Sequence, residues 1–206
     1  MTDDLAPAPR PLGSIAVFCG SASGSDPRYE AAAEAVGTLL ADRGITVVYG
    51  GGRVGLMGVV ADAALKAGGA VTGIIPKDLA DREVAHPGLT ELQVVDTMHE
   101  RKAAMAESSD AFVALPGGAG TLEEIAEQWT WAQLGIHGKP CGFLNVAGYW
   151  SPLLQMVDRM TEAGFVSVEH AGLLLVEEEF PALLERFEDY RPPAPKWLQP
   201  PPPPEP

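Results

Sequence analysis

The stretch Pro116-Gly117-Gly118-Ala119-Gly120-Thr121-Leu122-Glu123-Glu124 has residue types and a spacing that can do chemistry. It follows an apolar run, Ala111-Phe112-Val113-Ala114-Leu115, that reads as a buried parallel strand, and it precedes residues 125–134, apolar at helical spacing. Strand, glycine loop and helix N-terminus together hold phosphate, because small residues let the backbone approach and unpaired N–H groups point outward. The helix dipole adds about half a positive charge at the same place. Thr121 is a favourable N-cap residue, and its hydroxyl is equally suited to facing a ligand. A plainer reading also stands on these residues. Thr121-x-x-Glu124 has the capping-box spacing, in which Glu124 reaches back to the Thr121 amide and does no chemistry. The glycines can equally serve the turn alone.

A second glycine loop, Gly50-Gly51-Gly52-Arg53-Val54-Gly55-Leu56-Met57-Gly58, also opens a helix, and Gly20-Ser21-Ala22-Ser23-Gly24 forms a turn of small polar residues. Neither glycine loop is a P-loop, since no Gly-Lys-Ser/Thr follows, and no acidic residue closes the second strand to hold a ribose. Leu56 and Met57 read as packing at a helix start, with contact to a base as the lesser option for Met57. A third segment, Met98-His99-Glu100-Arg101-Lys102, begins another helix. Arg101 and Lys102 there can reach an anion, although adjacent cations at a helix N-terminus oppose its dipole. A solvated charged face accounts for them equally well, and Glu83 in Asp81-Arg82-Glu83 reads by default as surface charge. Ser21 and Ser23 lack an adjacent base, which argues against a covalent serine mechanism. His86, His99, His137 and His170 are scattered without partners at ligand spacing, so no metal site is expected. What remains is a carboxylate and a guanidinium beside a phosphate site. Those parts suit hydrolysis of an N-glycosidic bond: a carboxylate orients water and offsets oxocarbenium charge, while an anchored phosphate supplies orientation.

These groups need elements to position them. Residues 14–19, 45–49, 70–75, 92–95, 111–115, 140–145 and 173–176 read as strands. Helical patterns alternate with them, the first starting at Pro27 and stopping at Gly44. Residues 77–88 read as a surface loop, and helices are expected over residues 97–109, 152–161 and 178–190. Alternation of this kind implies right-handed βαβ units and an α/β fold, a parallel sheet covered by helices on both faces. In such a sheet ligands bind beyond the carboxyl ends of the strands, where the strand order reverses. All three loops leave carboxyl ends, and together they make a nucleotide-sized phosphate site.

Composition fits that picture. At 206 residues, 46% hydrophobic and 20% charged, the chain suits one ordinary domain over residues 13–190. Residues 1–12 read as a flexible leader, and residues 191–206, nine of sixteen of them proline, as an extended tail. A formal net charge of −14 argues against nucleic acid as a partner, since that needs a basic face. No apolar run is long enough for a membrane span. Cys19 and Cys141 lie in strand-like runs and read as reduced and buried, which suits the cytoplasm.

Pro-Gly-Gly-x-Gly-Thr-x-x-Glu at 116–124, taken with residues 50–58 and 98–102 and with Thr130-Trp131-Ala132-Gln133-Leu134-Gly135, resembles the LONELY GUY (LOG) family from about Ser14 to Leu184. These are cytokinin riboside 5′-monophosphate phosphoribohydrolases. The resemblance implies a single Rossmann-like, doubly wound sheet and a homodimer. It implies hydrolysis of an N6-substituted AMP to free base and ribose 5-phosphate, without metal or other cofactor. It further implies Arg101 and Glu124 as the catalytic pair, with Glu83, Lys102, Thr130 and residues 118–124 (Gly118, Ala119, Gly120, Thr121, Leu122, Glu123 and Glu124) lining the substrate site. Gly117, Ser21, Gly51, Gly52 and Met57 complete the expected contacts. Members of the family are often labelled lysine decarboxylases, but no lysine here stands in a setting suited to a cofactor Schiff base. Two other activities fit the same scaffold: a nucleosidase for plain AMP or other nucleoside monophosphates, and a nucleotide carrier without turnover. The pairing of Arg101 with Glu124 favours an enzyme, since a carrier needs the glycine loop but not that pair.

Overall fold

Strand β1 (Ser14–Phe18) sends Ile15 and Val17 to one side and Ala16 and Phe18 to the other, and all four are buried. A strand apolar on both faces has to lie inside a sheet covered twice. The computed structural model, which describes residues 12–80 and 85–193, places β1 at the centre of a seven-stranded sheet. Glu83, residues 1–11 of the expected leader and residues 194–206 of the expected tail lie outside the described residues.

The order is β4-β3-β2-β1-β5-β6-β7, every pair parallel. β2 (Thr46–Tyr49), β3 (Val71–Pro76) and β4 (Glu91–Val95) extend the sheet on one side of β1. β5 (Ala111–Ala114), β6 (Cys141–Leu144) and β7 (Leu174–Glu177) extend it on the other. Ile15 pairs with Val47 on one flank and with Ala111 on the other. Strand order therefore reverses between β1 and β5, and the crevice of a doubly wound sheet opens there.

Helices α1 (Pro27–Asp42), α2 (Gly55–Lys66) and α8 (Phe180–Glu188) pack over Ile15, Val17, Val47 and Val113. Helices α4 (Met98–Glu107), α5 (Ala119–Gln133) and α6 (Ser151–Glu162) cover Ala16, Phe18, Phe112 and Phe143 on the other face. α1 begins as its sequence dictates: Asp26 caps it by accepting from the Arg28 N–H, Pro27 occupies the first turn, and Gly44 (φ +68°) ends it.

Two local readings change. Residues 77–80 form a short helix, α3 (Lys77–Ala80), where a loop was expected, and Ala85 bridges back to Gly52. A second short helix, α7 (Val168–Ala171), capped by Ser167, precedes β7. Four residues carry too little periodicity to announce a helix in advance.

Candidate active site

Three loops meet at the carboxyl edge of β1, β2 and β5, laced together through their backbones. The Gly20 N–H donates to Pro116 O (3.1 Å), tying the β1 loop to the β5 loop, and the Leu56 N–H donates to Gly20 O (3.0 Å), tying in the start of α2. Gly117 lies so close to this junction that a Cβ there would be 2.9 Å from Gly20 N and would overlap Thr121 Oγ1. Gly118 and Gly120 behave differently, because a Cβ on either meets nothing within 4 Å. These two glycines face open space at the start of α5, whose first-turn N–H groups have no partner within the helix. Beside them lies a cavity of about 260 Å³, walled by Ser21, Gly24, Tyr29, Gly117, Gly118 and Tyr149.

The structure corrects the role expected of Thr121. Gly118, not Thr121, is the N-cap of α5; its extended backbone leads directly into Ala119, and the Leu122 N–H closes the first turn on Gly118 O at 3.1 Å. Glycine is itself an acceptable N-cap. Thr121 consequently falls within the first turn, 4% exposed, with its hydroxyl against the underside of Gly117. The capping-box reading of Glu124 falls with it. Glu124 lies a turn further along, and its Oε1 is 3.6 Å from Arg101 Nη2.

Arg101 comes from α4, whose start is fixed by Thr97: its Oγ1 accepts from the Glu100 N–H, while Glu100 Oε2 accepts from the Asp96 N–H. That cap sets the rotation of the helix. Arg101 turns toward the carboxyl end of β2, where its guanidinium lies on the backbone of Gly50, and its Nη1 donates weakly to Met98 Sδ at 3.8 Å. The Arg101 and Glu124 side chains are only 9% and 12% exposed, so their attraction is little screened by water. The Cys19 thiol at the end of β1 reports the same field. Burial first, and the nearby Glu124 charge second, push its ionisation far above the ordinary thiol range.

Lys102, one residue on, turns toward the flank of α5. Its ammonium binds Glu123 and, at 3.0 Å, Glu127, two carboxylates four residues apart on one helix face. Burial opposes its charge, yet these two partners hold the ammonium above its usual value. Lys102 and Glu123 thus join each other rather than the glycine loop, and Glu127 is a partner that reading the sequence missed.

The remaining expected contacts divide. Ser21 is exposed on the cavity wall. Gly51 and Gly52 are buried: Gly51 (φ +79°) packs on β3 and Gly52 bridges to Ala85, so neither faces the cavity. Met57, 7% exposed, belongs to the core beneath α2. Leu122 is exposed on the first turn of α5, and Ala119 is its first residue. Thr130 is exposed further along α5, its hydroxyl donating to Ala126 O (2.8 Å). Two contributors were not among the expected site residues. Gly50 gives Arg101 room, and Tyr149 donates to Gly117 O at 2.5 Å across 32 residues.

Among the described residues, no helix is long and apolar enough to cross a membrane, and no group of three or more His, Cys, Asp or Glu is placed to hold a metal ion.

The chain is similar to known proteins. Residues 57–187 match the family model described as possible lysine decarboxylase. The chain is 48% identical over 178 residues to cytokinin riboside 5′-monophosphate phosphoribohydrolase LOG1 of Arabidopsis thaliana, covering 86% of this chain and 84% of that one. It is 49% identical, over 86% of its own length and 78% of the relative's, to the probable cytokinin riboside 5′-monophosphate phosphoribohydrolase LOGL9 of Oryza sativa subsp. japonica. Among solved structures, the molybdenum cofactor carrier protein of Chlamydomonas reinhardtii superposes with a TM-score of 0.67 at 21% identity, over 87% of this chain and 100% of that one. That likeness shows the fold: a Rossmann-like α/β sheet. The relatives carry the name further, and the chain belongs to the LOG family, the cytokinin riboside 5′-monophosphate phosphoribohydrolases, whose family model bears the decarboxylase label.

Proposed function

We propose that this protein hydrolyses the N-glycosidic bond of an N6-substituted adenosine 5′-monophosphate, releasing the free cytokinin base and ribose 5-phosphate. One observation carries the reading: the little-exposed Arg101–Glu124 pair stands at the carboxyl edge of the sheet, Arg101 on α4 and Glu124 on α5, the helix whose N-terminus opens onto the glycine loop. The names of relatives at 48–49% identity support the same substrate class.

In this reading the 5′-phosphate sits against the Gly118–Gly120 backbone and the first-turn N–H groups of α5, while the ribose lies along the cavity wall at Ser21. Glu124 holds a water against C1′ and offsets the charge that develops on the ribose as the C1′–N9 bond breaks. Arg101 orients the Glu124 carboxylate and donates hydrogen bonds to the departing base, which leaves with the bonding electron pair. The water oxygen bonds to C1′, one of its protons goes through the carboxylate, and the base takes up a proton in leaving. Fixed groups in a site with little water do this without reorganising. Lys102 supports the site through Glu123 and Glu127, and Glu83 and Thr130 complete the substrate contacts.

A homodimer and a cytoplasmic setting belong to the same proposal. Exposed Leu92, Val94 and Met98, along the β4 edge and the start of α4, support the first, being apolar surface that a second copy would cover. The buried thiols of Cys19 and Cys141 support the second. The test is release of base from isopentenyl-AMP beside plain AMP, with and without chelator. Chelator-resistant release that favours the prenylated substrate supports the reading. Preference for AMP moves the substrate to ordinary nucleotides, and tight binding of both without release makes the protein a carrier.

A further inference from the structure

The turn after β6 is strained for a purpose that the reaction as described above does not use. Ala147 has φ +54°, the only non-glycine residue with positive φ among the described residues, and Gly148 follows at φ +74°. Side chains rarely adopt this conformation, and it persists only where the surroundings impose it. Here Asn145 imposes it: its N–H donates to Glu177 O (2.8 Å), its Oδ1 accepts from the Trp150 N–H (2.7 Å), and its Nδ2 donates to Ser151 Oγ (3.2 Å). The result is to thrust Tyr149 back across the sheet edge. Its ring meets Tyr29 edge-on (5.5 Å) and Trp150 edge-on (4.9 Å), and its hydroxyl ends 2.5 Å from Gly117 O.

We propose that Tyr149 is a positioning residue for the phosphate end of the substrate: it latches the Gly117 carbonyl and so fixes the glycine loop in its anion-binding form. The inference rests on the nucleotide reading above and extends it. Gly117 and Gly118 share one planar trans peptide, so holding the Gly117 carbonyl also sets the direction of the Gly118 N–H. Left free, a loop with Gly117, Gly118 and Gly120 has many conformations to lose when an anion binds. A carbonyl turned toward that anion would also repel it. The phenol removes both costs, and its one proton is committed to Gly117, so the ring shapes the cavity wall while the hydroxyl acts through the loop.

The test is Tyr149→Phe, which keeps the ring contacts and deletes only the latch. Binding of ribose 5-phosphate and of free adenine is measured by calorimetry in both proteins, with hydrogen exchange of the amides of residues 117–121. The variant weakens ribose 5-phosphate by about three- to tenfold, the range for one neutral hydrogen bond. It leaves adenine binding unchanged and speeds exchange in residues 117–121. In turnover KM for the nucleotide rises more than kcat falls. Equal ribose 5-phosphate affinity and equal exchange in the two proteins overturn the latch alone. A wild-type protein that binds no ribose 5-phosphate overturns the nucleotide reading and the latch with it.

Discussion

The guanidinium of Arg101 lies directly on the backbone of Gly50, so that a Cβ added to Gly50 would overlap Nη2 and stand 3.0 Å from Cζ. The glycine at the end of β2 is thus an empty place shaped for a side chain 51 residues away. Gly50→Ala pushes on the far end of a flexible side chain, which yields, so the fold survives. The pair with Glu124 does not, and kcat/KM falls about a hundredfold, as a displacement of about 1 Å at a reacting centre costs. Steady-state kinetics beside a circular-dichroism melt check this. Normal kinetics in the variant would show that the Gly50 contact does not position Arg101.

Gly120→Ala separates stability from binding. A methyl group there meets nothing in the free protein, and alanine is the better helix former by about 1 kcal/mol. The variant therefore melts higher than wild type. The same methyl occupies the space an anion would enter, so affinity for ribose 5-phosphate falls at least tenfold. Melting temperature and calorimetric titration read the two effects independently.

Lys102→Met leaves Glu123 and Glu127 facing each other without their cation. Glu123 is half exposed, which limits the penalty, so the loss is about 1–2 kcal/mol rather than the larger cost of breaking a fully buried pair. Folded Lys102 holds its proton more tightly than the unfolded chain does. Its contribution is therefore complete below about pH 10.5, the ordinary lysine value, and is lost as pH rises through the raised folded-state value. Urea melts of wild type and variant between pH 7 and pH 11 converge at the alkaline end if this is right, and stay parallel if it is not.

Much of this was legible in the sequence where the signal is local. Apolar runs such as residues 111–115 announce strands, and Pro27 and Gly44 bound α1 where the structure does. The Arg101 and Glu124 motifs meet in space, as their family resemblance implies. Thr121 misled because a threonine three residues before a glutamate has the spacing of a cap, whereas the choice of cap was made by packing between Gly117 and the β1 loop. Gly51 and Gly52 show how little a glycine-rich loop declares by itself: its glycines look alike whether they make room for a ligand or for neighbouring backbone, here β3 and Ala85. Met57 packs in the core, in keeping with its reading as a helix-start residue. Tyr149 left no trace, since its contact with Gly117 depends on how the β6 turn folds over the sheet edge.

The central claim is that Glu124 is the catalytic carboxylate, and Glu124→Gln tests it most directly. Glutamine keeps the size and a hydrogen-bonding oxygen but not the charge. Base release from isopentenyl-AMP is to be measured for wild type and variant, with ribose 5-phosphate affinity as the control for an intact site. A loss of kcat of about 10²–10⁴-fold, with affinity for ribose 5-phosphate within threefold of wild type, is the predicted result. Near-normal base release by the variant would contradict it.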